Sequence, residues 1–365
     1  MILKKDIISG NSLNELTFDV CETLLTKGNK VDSRNGETFE LCDQEVVLTN
    51  PKARHLYLEG RTNNIYATIG EIFWIMAGEN KLEPLMNFLL PRAKNYSDDG
   101  KTWRGAYGPR LYFYNQIQNV LDIFKQDGPN TRRAVMNIWS AEQDTHTALK
   151  DKYGLDQSKD IPCNNFIYFW VRDNKLNMKV TVRSNDCLFG MSGINIPEWT
   201  FLQECVLSLL KNQDSDVFKN LTLGYFSNNI ISLHLYEETS KQGKEIVKNK
   251  EMNKQRSVNN EVLPITLGHI NNQVEMQNFF HELYYHLCEQ INGNLNYTVN
   301  SIFKQYGVPT QNNQLYDYAY LLQCYIDEKL EEVSHRPLPH LSGDLASAVI
   351  CNKFTPPSWV MNKEK

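Results

Sequence analysis

The sequence predicts an α/β (α+β) protein with an added helical C-terminal region, and three observations carry that prediction. Strand-like and helix-like stretches alternate up to about residue 240, punctuated by turn signals at Arg34-Asn35-Gly36, Asp99-Gly100 and Asp127-Gly128-Pro129. From 273 to 333 the apolar spacing is helical. The 365 residues are 41% hydrophobic, enough for a packed core, which excludes wholesale disorder. The chain accordingly divides into a catalytic-sized unit at 1–240, a polar linker or exposed helix at 241–262, and a helical extension at 263–365.

Taken in order, residues 66–77 (YATIGEIFWIMA) read as a helix with Glu71 inside an otherwise apolar run. Residues 166–182 read as two strands, FIYFWVR and LNMKVTV, joined at Asp173-Asn174-Lys175 as a hairpin. The apolar spacing of 199–211 (WTFLQECVLSLLK) is that of a buried helix, and 221–236 again reads as strand. Mixed charge over 240–261 marks a solvated helix face or linker. The aromatic stripes of VEMQNFFHELYYHLCEQI and YDYAYLLQCYIDEKLEEV are a packing surface for the parent domain or a partner.

Several function classes fall away. Lys+Arg 38 against Asp+Glu 43 leaves a net charge of -5, whereas nucleic-acid and membrane-surface binding need a basic field, so neither DNA nor membrane is an expected partner. No apolar run reaches the roughly 20 residues that span a bilayer, and the first residues lack the order of a signal peptide, so a cytoplasmic protein is expected. The eight cysteines are scattered without a CxxC pair and read mostly as small buried apolar residues. His281-Glu282 with His286 misses the HExxH spacing by one residue, which takes the two histidines off a common helix face; no metal is expected.

The stretch 160–195 carries the chemistry. A hairpin folded at its middle brings Cys163 beside Arg183, and an arginine there stabilises a thiolate; a core cysteine next to a surface arginine gives the same spacing. Arg34 in its Gly-containing turn, Arg132-Arg133, and Arg183-Ser184 supply the guanidinium forks and hydroxyl that a phosphate monoester requires, although adjacent arginines also occur on ordinary surfaces. Glu71, flanked by Ile69, Ile72 and Phe73, is a carboxyl whose surroundings raise its pKa into the range of general acid–base work. His234 and Tyr236 alternate by two along a strand and so share a face.

Together these blocks resemble the thymidylate synthase and pyrimidine nucleotide hydroxymethylase family. The resemblance covers about residues 30–240. It is strongest in DIPCNNFIYFWVRDNKLNMKVTVRSNDCLFG followed by INIPEW, and continues in GEIFWIMAG, AYGPRL, NTRRAVMNIW and SLHLY in the family's order. It implies a thymidylate synthase-like sheet-centred fold, an obligate homodimer, and transfer of a one-carbon unit from methylenetetrahydrofolate to ring carbon five of a pyrimidine nucleoside monophosphate. It also implies residue roles. Cys163 is the nucleophile, with Glu71, Tyr107 and Asp186 as catalytic partners, and Glu71, Trp74 and Asp186 meet the folate. Arg34, Arg183 and Ser184 hold the phosphate, with Arg132 and Arg133 reaching across from the other subunit; His234 and Tyr236 hold the sugar, and Asn195 the base. A primary amide at Asn195 matches uracil, where a carboxylate would match cytosine; aligning it requires one inserted residue within 190–194, without which Ile194 takes the place.

The chain also departs from the family pattern. Asn164 and Tyr168 stand where the family has His and Gln, and Ala93 and Tyr96 lie near the positions of its paired tryptophans, with Trp103 shifted. An aromatic wall keeps water from the exocyclic methylene so that hydride reduces it to methyl; a more open site lets water add and gives hydroxymethyl. The short C-terminal end that closes over the folate is not recognisable. The expectation is therefore a uracil-nucleotide (dUMP) hydroxymethylase, with thymidylate synthase and dCMP or CMP hydroxymethylase as alternative enzymes, and a retired nucleotide- or RNA-binding homologue as the non-enzyme alternative.

Overall fold

The computed structural model describes residues 7–256, 262–294, 298–330, 341, 343–356 and 359. One mixed sheet organises the chain. Its strands are β1 (Ile7–Gly10), β2 (Asn29–Ser33), β3 (Gly36–Leu48), β4 (Val135–Asn137), β5 (Asn164–Arg172), β6 (Lys175–Val182), β7 (Asn185–Asp186) and β8 (Thr222–Tyr236), in the order β1-β3-β8-β6-β5-β4, with β2 on β3 and β7 on β8. Pairing is parallel for β1/β3, β6/β8 and β7/β8 and antiparallel elsewhere. The predicted α/β class and its helical C-terminal region are what the chain forms.

The expected hairpin is β5–β6. Arg172 pairs with Lys175, so the turn is the two residues Asp173 and Asn174, both at φ 53°. Two consecutive positive φ values are the type I′ geometry that matches strand twist, and Asp and Asn tolerate it better than other side-chain-bearing residues. Ile167, Phe169 and Val171 face the core, as do Leu176, Met178, Val180 and Val182.

One helix, Ile196–Gln213, backs the inner face at β6 and β8, and a second, Ile65–Met76, packs on that helix. Ile65–Met76 is capped by the Asn64 side chain, which accepts from the Ala67 N–H at 3.2 Å, and all of its residues except Glu71 are buried. Ile196–Gln213 is buried nearly all round, including Glu198, Gln203 and Glu204. Glu204 forms an ion pair with the buried Arg54 and accepts from the Ile265 N–H at 3.1 Å, so neither charge is left uncompensated.

The polar stretch after 240 is more than a linker. Ser240–Lys248 and Lys250–Arg256 are helices whose inner edge buries Ile246 and Asn253. The Asn253 amide accepts from the Glu59 N–H at 2.8 Å and donates to the Glu59 carbonyl at 3.1 Å, Lys250 pairs with Glu22 at 3.0 Å, and Lys241, Lys244, Lys248 and Lys254 are exposed; 257–261 lie outside the described residues.

The C-terminal helices Gln273–Ile291, Val299–Gln305, Gln314–Lys329 and Gly343–Ile350 share the hydrophobic core of the preceding chain. Phe280 lies 6.2 Å from Phe73 and 5.8 Å from Phe201, and Tyr325 stacks on Tyr66 at 3.7 Å. Tyr66 and Phe73 belong to the helix that carries Glu71, so these helices brace it from behind. Among the described residues no helix is long and apolar enough to cross a membrane.

Phe280 is fully buried. Phe280→Ala is expected to destabilise the protein by about 3–5 kcal/mol in urea unfolding, the usual cost of emptying a core aromatic site; a change below about 1 kcal/mol would show that the C-terminal helices pack loosely.

Candidate active site

A cavity of about 340 Å³ opens where these two helices, Ile65–Met76 and Ile196–Gln213, meet the ends of β7 and β8 and the start of β5. Cys163, Glu71, Trp74, Tyr107, Ser184, Asp186, Asn195, His234 and Tyr236 all line it. Nine of the thirteen sequence-predicted site residues thus meet in one place.

The hairpin sets Cys163 against Arg183 as anticipated, through the backbone first: the Arg183 N–H donates to the Cys163 carbonyl at 2.9 Å. The guanidinium then donates to the carbonyls of Pro162 at 3.0 Å and Ile161 at 2.8 Å. Burial is the largest influence on the thiol and pushes its pKa up; Arg183 and Arg34 pull it down, and Asp160 pushes it further up. The expected arginine stabilisation is present, and desolvation outweighs it.

Glu71 points from its helix into the cavity, and burial alone raises its carboxyl to about 7. Tyr107 opens the short helix Tyr107–Tyr112; burial pushes its hydroxyl up, the charges of Cys163, Glu198 and Glu71 add to the shift, and the Asn164 amide opposes it. Gly108 is what lets this helix approach the Glu71 helix, because a Cβ there would sit 2.9 Å from the Ile75 carbonyl oxygen and 3.0 Å from that of Glu79. Asp186 ends β7 and caps the next segment, accepting from the Leu188 N–H at 3.0 Å and the Phe189 N–H at 2.6 Å through Oδ1. Its other oxygen, Oδ2, is buried without a hydrogen-bond partner among the described residues. Burial pushes this carboxyl up against the pull of those N–H groups.

The segment after Asp186, Cys187–Asn195, is a π-helix. The Ile196 N–H reaches back five residues to the Met191 carbonyl, so the wide turn absorbs one extra residue. The segment sets both Asn195 and Ile194, the two residues between which the sequence left the base-facing position open, on the cavity wall. The amide Nδ2 of Asn195 donates to Glu198 Oε1 at 2.9 Å.

His234 and Tyr236 share one face of β8, their rings 5.0 Å apart edge to face, and β7 pairs Asp186 with His234. Arg34 occupies the exposed β2–β3 turn and acts on Cys163 from the rim rather than from the cavity lining. Arg132 and Arg133 are exposed and outside this chain's cavity, and Arg133 holds Asp127 of its own chain at 2.6 Å. His281 faces Glu79 at 3.6 Å, whereas His286 is buried against Gln323 at 2.7 Å, so the two histidines have different neighbours.

Sequence reasoning missed two acids. Asp160 lines the cavity, accepts from the Gly105 N–H at 2.8 Å and is raised by burial to about 6. Glu198 is fully buried three residues after Asn195, and burial and then the charge of Glu71 push its carboxyl well up. The signal for Glu198 was a lone carboxylate at the head of an apolar helix. The aromatic wall is also partly rebuilt: Trp103 lines the cavity 5.5 Å from Trp74, edge to face, whereas Ala93 is buried in the core. Tyr96, in contrast, is 55% exposed at the cavity mouth, near Lys159.

A carboxyl raised from 4.5 to about 7 favours the folded state most in its neutral form, so its contribution is full below the unfolded pKa and is lost as pH rises through the folded one. Glu71→Gln is therefore expected to melt progressively higher than the parent between about pH 5 and pH 8, by on the order of 2 kcal/mol at the upper end, since solvent reaching the cavity screens part of the penalty. A melting-temperature difference independent of pH would contradict the assigned burial.

Comparison with known proteins gives the same direction. The family model described as Thymidylate synthase matches residues 17–286. The chain is 33% identical over 360 residues to a deoxyuridylate hydroxymethyltransferase of Delftia phage PhiW-14, covering 96% of both chains. It is 29% identical over 237 residues to a protein of the same name from Pseudomonas phage M6, covering 64% of this chain and 62% of that one. To a putative thymidylate synthase of Methanothermobacter marburgensis it is 28% identical over 250 residues, covering 66% of this chain and 98% of the other. With a cysteine, an acid-lined cavity and a family match over most of its length, the chain belongs to the thymidylate synthase family and is a one-carbon transferase.

Proposed function

We propose that the protein hydroxymethylates carbon five of dUMP, with methylenetetrahydrofolate as the one-carbon donor. The observation that carries this reading is a cavity that combines Cys163, Glu71 and Asn195 with a mouth left open by the exposed Tyr96 and the nearby Lys159. The folate fits the lining: Trp74 and Trp103 offer an aromatic wall, and the unpartnered Asp186 Oδ2 is an acceptor for a ring N–H. Bound there, it would supply the carbon unit at the formaldehyde oxidation level.

The chain's own residues do the rest. Carbon five of uracil becomes nucleophilic once the Cys163 sulfur adds to carbon six. Burial keeps the resting thiol protonated at neutral pH, so its proton leaves as sulfur adds, and the Arg183 and Arg34 charges lower the cost of that step. Glu71, poised near 7, holds or releases a proton at the working pH. Asn195 faces the base, Arg34, Arg183 and Ser184 the phosphate, and His234 and Tyr236 the sugar. The carbon-five proton passes out through Glu71 and Tyr107, the folate would depart unoxidised, water entering the cavity adds to the transferred carbon, and expulsion of the Cys163 sulfur from carbon six restores the ring. A wall closed to water would yield methyl instead.

A homodimer is part of the same reading. Phe166, Tyr168 and Trp170 on β5 and Tyr225 and Ile231 on β8 line the outer sheet face, where Phe166, Tyr225 and Ile231 are exposed. Arg132 and Arg133 precede the edge strand β4 and are exposed; Arg132 would extend toward a partner's phosphate site, and Arg133 would have to exchange its pairing with Asp127 for that phosphate. The cytoplasmic location belongs to this reading as well.

Incubation of the purified protein with dUMP and methylenetetrahydrofolate is expected to add the mass of CH2O to the nucleotide without forming dihydrofolate. Addition of CH2 with dihydrofolate would make the protein a synthase. Cys163→Ala is expected to abolish turnover while the dUMP Kd stays within about threefold, and substantial residual turnover would overturn the covalent route.

A further inference from the structure

Glu198 has no role in the scheme so far, yet it is a fully buried carboxyl beside the residue that faces the base. We propose that Glu198 is a positioning residue that locks the Asn195 amide in one of its two flip states and thereby makes the site select uracil over cytosine. This rests on the assignment of Asn195 to base recognition.

An asparagine side chain can turn end for end with almost no change of shape, exchanging a carbonyl oxygen for an amino group. The two orientations recognise opposite patterns. With its oxygen toward the base, the amide accepts from the ring N–H of uracil; with the amino group there, it donates to the bare ring nitrogen of cytosine. Asparagine alone therefore does not decide between the bases, and something must hold the amide.

Glu198 is placed to do so. Asn195 ends the π-helix Cys187–Asn195, and Glu198 lies in the first turn of the helix Ile196–Gln213, three residues on, where side chains at this spacing meet. Glu198 Oε1 accepts from Asn195 Nδ2 at 2.9 Å. Because Oε1 faces the Nδ2 donor, a proton on Glu198 is carried by Oε2, which has no hydrogen-bond partner among the described residues. With the proton on Oε2, turning the amide over would set Asn195 Oδ1 against Oε1, acceptor against acceptor, beside a fully buried carboxyl. On its other side the amide oxygen faces Gly190, where a Cβ would lie 3.6 Å from Asn195 Oδ1, an ordinary contact. The amide is thus held from the Glu198 side, and its oxygen lies toward Gly190 and the cavity.

The test is equilibrium binding of dUMP and of dCMP by calorimetry, without folate, to the full-length protein and its variants, with folding checked by thermal melting. Glu198→Leu and Glu198→Met remove the acceptor and keep the volume; the ratio of dCMP to dUMP Kd is expected to fall at least about tenfold in each. Glu198→Gln keeps an acceptor oxygen and is expected to hold the ratio within about threefold of the parent. Folded Leu and Met variants with an unchanged ratio would overturn the proposal, since a merely structural carboxyl alters stability and not base choice. Should neither apolar variant fold, Glu198→Ala decides, and an unchanged ratio there overturns the proposal. A parent protein that binds both nucleotides equally would instead overturn the dUMP assignment, a result read without any variant.

Discussion

Burial of ionisable groups around one thiol is the constraint on which the site depends. Glu71, Asp160, Asp186 and Glu198 are all pushed toward their neutral forms by removal from water, and Cys163 is pushed the same way. In water these groups would be ordinary carboxylates and an ordinary thiol. Enclosed in this way, Glu71 at about 7 and Asp160 at about 6 are held near the point at which a proton is gained or lost, as acid–base work at neutral pH requires, while burial favours the protonated forms of Cys163 and Glu198. Arg183 supplies charge compensation while spending its hydrogen bonds on the Ile161 and Pro162 carbonyls. It therefore fixes the backbone that carries Cys163 and biases the thiol in the same act.

Such enclosure has to be supported mechanically. A helix bearing a buried carboxyl loses stability from that residue, and the loss has to be offset by packing elsewhere. The helix Ile65–Met76 meets this with Tyr66 stacked on Tyr325 and Phe73 against Phe280. The C-terminal helices thus act behind the catalytic wall rather than at its mouth. A sheet of mixed pairing gives the front wall, since the parallel β7–β8 contact fixes Asp186 beside His234.

Much of this was legible in the sequence where the cause is local. The type I′ turn at Asp173-Asn174 follows from two residues that tolerate positive φ between alternating strands. The buried helix at 199–211 follows from its apolar period, and Glu71 from a carboxylate flanked by Ile69, Ile72 and Phe73. The sequence left open whether Asn195 or Ile194 faces the base, and the π-helix that carries both depends on hydrogen bonds that no periodicity encodes. Glu198 was overlooked because a single acid at a helix start reads as a dipole-favoured surface charge; only the tertiary fold shows it enclosed between Asn195 and Glu71. The anchoring of 240–256 was hidden for the same reason, since Asn253 finds its partner at Glu59, far away in the chain. Arg132 and Arg133 lie outside the cavity of their own chain, and their proposed role across a dimer is one that a single chain cannot display.

The central claim is that Cys163 becomes covalently attached to the pyrimidine ring. The most direct measurement is peptide mapping by mass spectrometry after incubation with 5-fluoro-dUMP and methylenetetrahydrofolate, because fluorine at carbon five cannot leave as the proton does and the adduct stalls. The account predicts a stable ternary adduct on the peptide containing Cys163. An adduct on any other of the eight cysteines, or none under conditions in which the nucleotide binds, would contradict it.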